Sequence, residues 1–143
     1  MPEIKTSERK KWAPAAIVVG VLYFVVGFGS AALDPSVPSQ MRFTWRLAAW
    51  MVSAIIFASH LSYEQFRLRS SAMRTAIHAS LAVALGAFLL AGAATVRAST
   101  EPSHVPYTRY LLAVVLWPII TSVPAFAVSL VTAAVMTRLR ARS

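Results

Sequence analysis

Charged side chains in this chain are confined to short segments, and four long stretches between those segments carry none. The stretches run from Trp12 to Leu33, Leu47 to Tyr63, Thr75 to Val96 and Tyr110 to Thr137, and hold 22, 17, 22 and 28 residues. A helix needs roughly 20 apolar residues to cross about 30 Å of hydrocarbon, so each stretch predicts one crossing. The shortest suffices if Arg46 and Glu64 at its ends extend their heads toward water and leave their stems in the apolar zone. In lipid every backbone N–H and C=O must be paired internally, which leaves helices or a closed barrel. Barrel strands alternate apolar and polar residues over about 10 positions. The run from Ala15 to Phe28 is apolar throughout apart from Gly and Tyr, and does not alternate. The pattern therefore predicts an all-α, integral membrane bundle of four transmembrane helices, at about 13–33, 43–64, 74–97 and 109–137. These form one domain over 1–143, with an arm at 1–11 and a tail at 138–143.

The joints are short: Asp34 to Ser39, Gln65 to Met73, and Ser99 to Thr108 with Pro102 and Pro106. Short joints predict antiparallel neighbours in an up-down-up-down order. The arm and the segments after helices two and four hold ten basic residues, and the opposite face holds Arg42, Arg46, Arg97 and Arg109. The positive-inside rule then places both termini in the cytoplasm, and the location expected is a bacterial inner (plasma) membrane. Helix one follows a basic leader, and Ser30-Ala31-Ala32 resembles a cleavage site. Its apolar stretch exceeds the 7–15 residues of a signal core, so it is expected to stay as a resident helix. Trp12, Trp45, Trp50, Tyr63 and Tyr107 fall near the expected interfaces, where amphipathic rings prefer to sit.

Composition agrees. Of 143 residues 57% are apolar and 13% charged, about half the usual charged share of a soluble domain. Mean hydropathy is +0.62. There is no cysteine, which removes disulfides, thiolate metal sites, iron–sulfur clusters and Cys-based redox chemistry. The net charge of +9 reads as an orientation signal, not as a nucleic-acid surface, because no folded basic face remains for one. Arg138, Arg140 and Arg142 are suited to anionic lipid headgroups.

Three features bear on chemistry. On helix two, Arg46, Ser53, His60 and Arg67 recur every seven residues and share a face. Lipid disfavours such a face, so it should turn inward or toward another subunit. It reads as an interhelical hydrogen-bond seam or as the wall of a solute path, completed by Thr121 and Ser122 on helix four. Second, reflecting the hairpin between helices two and three about Arg69 puts His60 and His78 at one depth, and brings Glu64 close to Arg74. The expected cluster is a Glu64–Arg74 pair at the inner interface with two imidazoles about a turn deeper. The histidines read first as hydrogen-bonding groups; a metal, or a haem held from opposite sides, is the alternative. No third ligand for zinc stands near them, and no cofactor is expected. Third, Pro118 and Pro124 should kink helix four near mid-membrane, with Thr121, Ser122 or water serving the freed carbonyls. Small residues (Gly20 and Gly27 on helix one, Ala82 and Gly86 on helix three) suit close helix approach, within the chain or across a homodimer.

There is no Walker loop, HExxH, GxSxG, acidic metal cluster or carboxylate pair. Lipid-modifying chemistry by His60, His78 and Glu64 is the one enzymatic version the residues permit, and the chain is not expected to be an enzyme. Helix one lacks the membrane-embedded Glu of small multidrug transporters, and the chain lacks the cysteines of thiol–quinone oxidoreductases. The expected role is an accessory or scaffold subunit of a membrane complex, acting through helix packing on other subunits or on itself. The alternative is an oligomeric transporter or channel subunit for a small anionic or polar solute.

Overall fold

The computed structural model describes residues 12–101 and 105–140. The expected basic arm, Pro102, His104, and Arg142 of the tail lie outside the described residues. Among the described residues the chain is helical without strands. The long elements are α1 (Trp12–Leu33), α2 (Arg42–Ser62), α3 (Ala72–Thr100) and α4 (Tyr107–Arg140). Two 3-10 turns, Asp34–Ser36 and Ser39–Met41, join α1 to α2, and a π-helical turn, Tyr63–Arg67, prolongs α2.

α2 begins before its charge-free stretch, and α3 and α4 outrun theirs at both ends. α2 begins at Arg42 and takes in Arg46, and α3 runs from Ala72 to Thr100 through Arg74 and Arg97. Charge marks where apolar surroundings should end, not where intrahelical hydrogen bonds must end, so helices continue through their flanking arginines. α3 starts on an N-cap: the Ser71 hydroxyl accepts from the Arg74 backbone N–H at 3.5 Å, satisfying one of the orphan donors of a first turn. The bend before it is tight, with Arg69 at a φ of 48°, in the left-handed region that costs a non-glycine residue roughly 1–2 kcal/mol.

Three helices, α1, α3 and α4, are long and apolar enough to cross a membrane, and they pack against one another as in a small membrane protein. α2 is not among the three, because Arg42 and Arg46 in its first turns and His60 near its end dilute its apolar run. The packing order differs from the chain order. α1 lies between α2 and α3, and α4 packs on the other side of α3. α2 has little contact with α3 and no substantial contact with α4.

The α1–α3 seam is built from small residues. Ala16 and Gly20 of α1 are buried, as are Ala82 and Gly86 of α3, which meet α1. A Cβ on Gly20 would lie 3.0 Å from the Ala82 carbonyl oxygen, and one on Gly86 would lie 2.7 Å from Tyr23 Cβ and 3.0 Å from the Gly20 carbonyl oxygen. The two glycines thus let one backbone rest on the other. Gly27 is different: its added Cβ would meet only the methyl end of Leu90, at 2.7 Å, which can rotate away. The α3–α4 seam is tied by Thr95, whose hydroxyl lies 2.8 Å from the Ala91 carbonyl and 3.3 Å from that of Tyr110 across the interface. Ser129 and Ala133 of α4 are fully buried.

α4 has 34 residues, about 51 Å at 1.5 Å per residue, and stays helical through Pro118 and Pro124. The carbonyls that lose a donor to these prolines are those four residues back, Val114 and Ile120. Thr121 and Ser122 do not serve them, contrary to expectation. The Thr121 hydroxyl reaches the carbonyls of Trp117 (2.8 Å) and Pro118 (3.2 Å), and Ser122 that of Ile119 (3.2 Å). A hydroxyl on a helix reaches back three or four residues along its own strand of carbonyls, and neither 121 nor 122 has Val114 or Ile120 within that reach.

Gly20→Ala and Gly86→Ala should each destabilise the protein by about 1–3 kcal/mol through overpacking against backbone. Gly29→Ala and Gly92→Ala should not, because an added Cβ there meets nothing within 4 Å. Thermal unfolding in detergent micelles, compared across the four variants, reads the difference.

Candidate functional site

The polar residues that the fold gathers lie where the start of α1, the π turn after α2 and the first turns of α3 meet. Glu64 is fully buried, Gln65 is 2% exposed and His60 3% exposed. The π turn is what brings Glu64 and Gln65 inward together. Widening the helix by one residue per turn changes the faces of everything after it, and both side chains then point at α3.

Glu64 is satisfied from two sides. His78 Nδ1 lies 3.1 Å from Oε1, and the Ser70 hydroxyl donates to Oε2 at 2.8 Å. With the carboxylate as acceptor, Nδ1 of His78 carries the proton. The opposite face of that imidazole is covered by Trp12, with ring centroids 4.2 Å apart and planes 4° from parallel. Beside this, the Gln65 amide donates to the Thr75 hydroxyl at 2.8 Å, and the Ser70 backbone N–H donates to the Glu64 carbonyl at 3.1 Å. The Leu68 N–H reaches the Tyr63 carbonyl at 3.2 Å. The turn between α2 and α3 is thus locked from both its side chains and its backbone.

Of the four residues expected here, the structure brings Glu64 and His78 into contact and buries His60 close by. Arg74 is different. It stands exposed in the first turn of α3, and the carboxylate expected to pair with it is taken by His78 and Ser70. The reflection about Arg69 was short by one to two residues: Glu64 meets position 78 and Gln65 meets position 75. The π turn and the left-handed Arg69 together move the centre of the hairpin on. Trp12, Gln65, Ser70 and Thr75 had no signal of their own in the sequence. For Trp12 the sequence offers only an interfacial ring.

His60 contrasts with His78. Its Nε2 is buried without a hydrogen-bond partner, an arrangement that costs about 1–3 kcal/mol. It lines an open groove of about 670 Å³ between α1 and α2, whose other lining residues include Val18, Leu22, Ile55 and Tyr63.

The five residues of the expected solute path do not come together. At the far end of α2, Arg46 Nη2 donates to Asp34 Oδ2 at 3.0 Å, pinning the α1–α2 turn with the Trp45 indole, which donates to the Ser30 carbonyl at 3.2 Å. Ser53 is half-buried. Thr121 and Ser122 sit on α4, which α2 does not substantially touch, and their hydroxyls bond their own helix. Residues seven apart share a face, but the neighbour that face meets depends on packing order, which α1 interrupts here. Among the described residues no group of three or more His, Asp or Glu could hold a metal ion.

Comparison with protein-family models, with curated proteins and with solved structures finds no match to this chain.

Removing the Glu64 carboxylate should unsettle this end of the molecule most. Glu64→Ala leaves His78, Ser70 and a void uncompensated, and should cost about 3–5 kcal/mol. Glu64→Gln keeps an acceptor and should cost less than half as much. Arg74→Ala should be nearly silent, within about 0.5 kcal/mol as for other surface sites. Equal losses for Glu64→Ala and Arg74→Ala in a thermal shift series would contradict the assignment.

Proposed function

We propose that this chain is an accessory or scaffold subunit of a membrane complex and acts through helix packing, without catalysis of its own. The observation that supports this most directly is the open order of the helices. α2 and α4 stand at the two edges of a row, each supported chiefly from one side. Their free sides are large and apolar: Phe43 and Trp50 on α2 are 79% and 77% exposed, and Val115, Val123 and Val131 on α4 are each more than 60% exposed. Lipid accepts such faces, and so does another helix. In a bilayer the gain from helix association comes from van der Waals packing and interhelical hydrogen bonds, which an open row leaves available at both edges.

In this reading all four helices cross the bilayer in antiparallel order. Both ends lie on the side of the π turn, facing the cytoplasm of a bacterial inner membrane with the basic residues toward anionic headgroups. α2, the least apolar, is carried across by its neighbour α1 and by the Arg46–Asp34 pair that caps its outer end. The alternative of a solute path along α2 and α4 draws no support from the separation of those two helices. His60 and His78 are assigned neither metal nor haem, since His78 spends one nitrogen on Glu64 and one ring face on Trp12.

Two measurements test the reading. Protein extracted in mild detergent and captured by a tag should bring down either a membrane protein in stoichiometric amount, identified by mass spectrometry, or a second copy of itself. A strictly monomeric, partner-free protein would remove the proposal. Reporter tags on the two termini should respond from the same compartment, and opposite responses would remove the threading.

A further inference from the structure

The groove between α1 and α2 has an arrangement that helix packing alone does not require. We infer that it is a binding site for a neutral, ring-headed amphiphile of the isoprenoid quinone or quinol class, with the head at His60 and the tail along the helices.

Its walls are apolar over most of their length. Val18 and Leu22 of α1 face Ile55 and Ile56 of α2. All its polar lining lies at one end, the end of the π turn, where Ser59, His60 and Tyr63 stand opposite Pro14. From Pro14 to Leu22 is eight residues, about 12 Å of helix, enough for a ring and the first part of an isoprenoid tail. The volume of about 670 Å³ lies within the range of small-molecule sites, roughly 300–1,000 Å³. An apolar trough with hydrogen-bonding groups gathered at one end complements a molecule that is itself polar at one end.

The chemistry of that end selects the class. Among the described residues lining the groove none is charged. The three polar side chains among them, Ser59, His60 and Tyr63, are hydrogen-bonders without a fixed charge, which match a neutral head. His60 lines the groove and is 3% exposed, and its Nε2 is buried with no partner within the protein, so a head at this end reaches that nitrogen as the ring turns toward the groove. An imidazole nitrogen suits both oxidation states of such a head: its N–H donates to a quinone carbonyl, and its lone pair accepts from a quinol O–H. Tyr63 and Ser59 supply hydroxyls able to meet the same head. His78, one helix away, is already committed to Glu64 and Trp12, so the two histidines do not compete for one ligand. The inference concerns binding alone and assigns no electron transfer. It stands apart from the scaffold role: a failed partner capture leaves it untouched, and its own failure leaves partner capture untouched.

The test uses the full chain in phosphatidylcholine nanodiscs, titrated with decyl-ubiquinone, with bound quinone measured after rapid gel filtration against empty discs. The expected result is saturation at about one quinone per chain. His60→Leu removes the head's partner and Ala15→Phe fills the groove while leaving His60 in place. Each should weaken binding about tenfold, which corresponds to 1.4 kcal/mol, with helix content by circular dichroism unchanged. Gly29→Ala, outside the groove, should bind as the parent does. Uptake no greater than in empty discs, or saturation that is the same in the parent and in a folded Ala15→Phe protein, overturns the inference. So does displacement of the quinone by phosphatidylglycerol at equal concentration, because an anionic lipid would then be the better occupant.

Discussion

The contact of backbone on backbone between Gly20 and Gly86 decides where α1 lies, and most of the structure follows from that position. Each glycine lacks the one carbon that would strike the other helix. The approach carries Trp12, two turns earlier on α1, onto the imidazole of His78, two turns earlier on α3. His78 is then held flat, with Nδ1 directed at Glu64. In a bilayer two apolar helices would gain nothing from hiding surface, and close approach through small residues would be the main source of their attraction. A wider seam would loosen the stack and the carboxylate contact with it.

The same position leaves α2 on the outside. With α1 on the side of α3 lined by Ala82 and Gly86, α2 touches α3 only slightly, directly and through the π turn that prolongs it. It lies instead along α1, whose facing residues Val18 and Leu22 are bulkier than the glycines of the other seam, and the open groove results. A small-residue face and a branched-residue face on one helix thus give one tight seam and one loose one. The loose seam is closed only at its far end, by Trp45 on the Ser30 carbonyl and Arg46 on Asp34.

What could be read from the residues, and what could not, divides along the same lines. Charge-free stretches located the cores of all four helices, because the energy of placing charge in an apolar medium is large and local. They stopped short of the start of α2 and of both ends of α3 and α4, since a helix costs little to extend past an arginine. The small residues Gly20, Ala82 and Gly86 could be read as a contact, and they are one. Packing order could not be read: nothing in the spacing of Arg46, Ser53 and His60 says that α1 intervenes between their helix and α4. Nor could the π turn, whose five residues, Tyr63 to Arg67, carry no proline or glycine to announce it. That turn, more than any missed motif, is why Glu64 was expected beside Arg74 at the water's edge and is found buried against His78.

The two histidines show how position, not residue type, assigns work. Each lies nine residues from Arg69, and mirror symmetry about the hairpin treats them as equivalent. The fold does not. His78 falls on the tight side of α1, where a tryptophan covers one ring face and a buried carboxylate engages Nδ1, so the ring ties three elements together. His60 falls on the loose side, buried by the bulk around it but with a nitrogen left unmatched. A buried carboxylate is tolerable here because both its oxygens are engaged, one by an imidazole and one by a hydroxyl. A buried imidazole without such a partner is a cost that native interiors seldom carry unrelieved. That asymmetry follows from the sizes of a few side chains on α1: alanine and glycine toward one neighbour, valine and leucine toward the other.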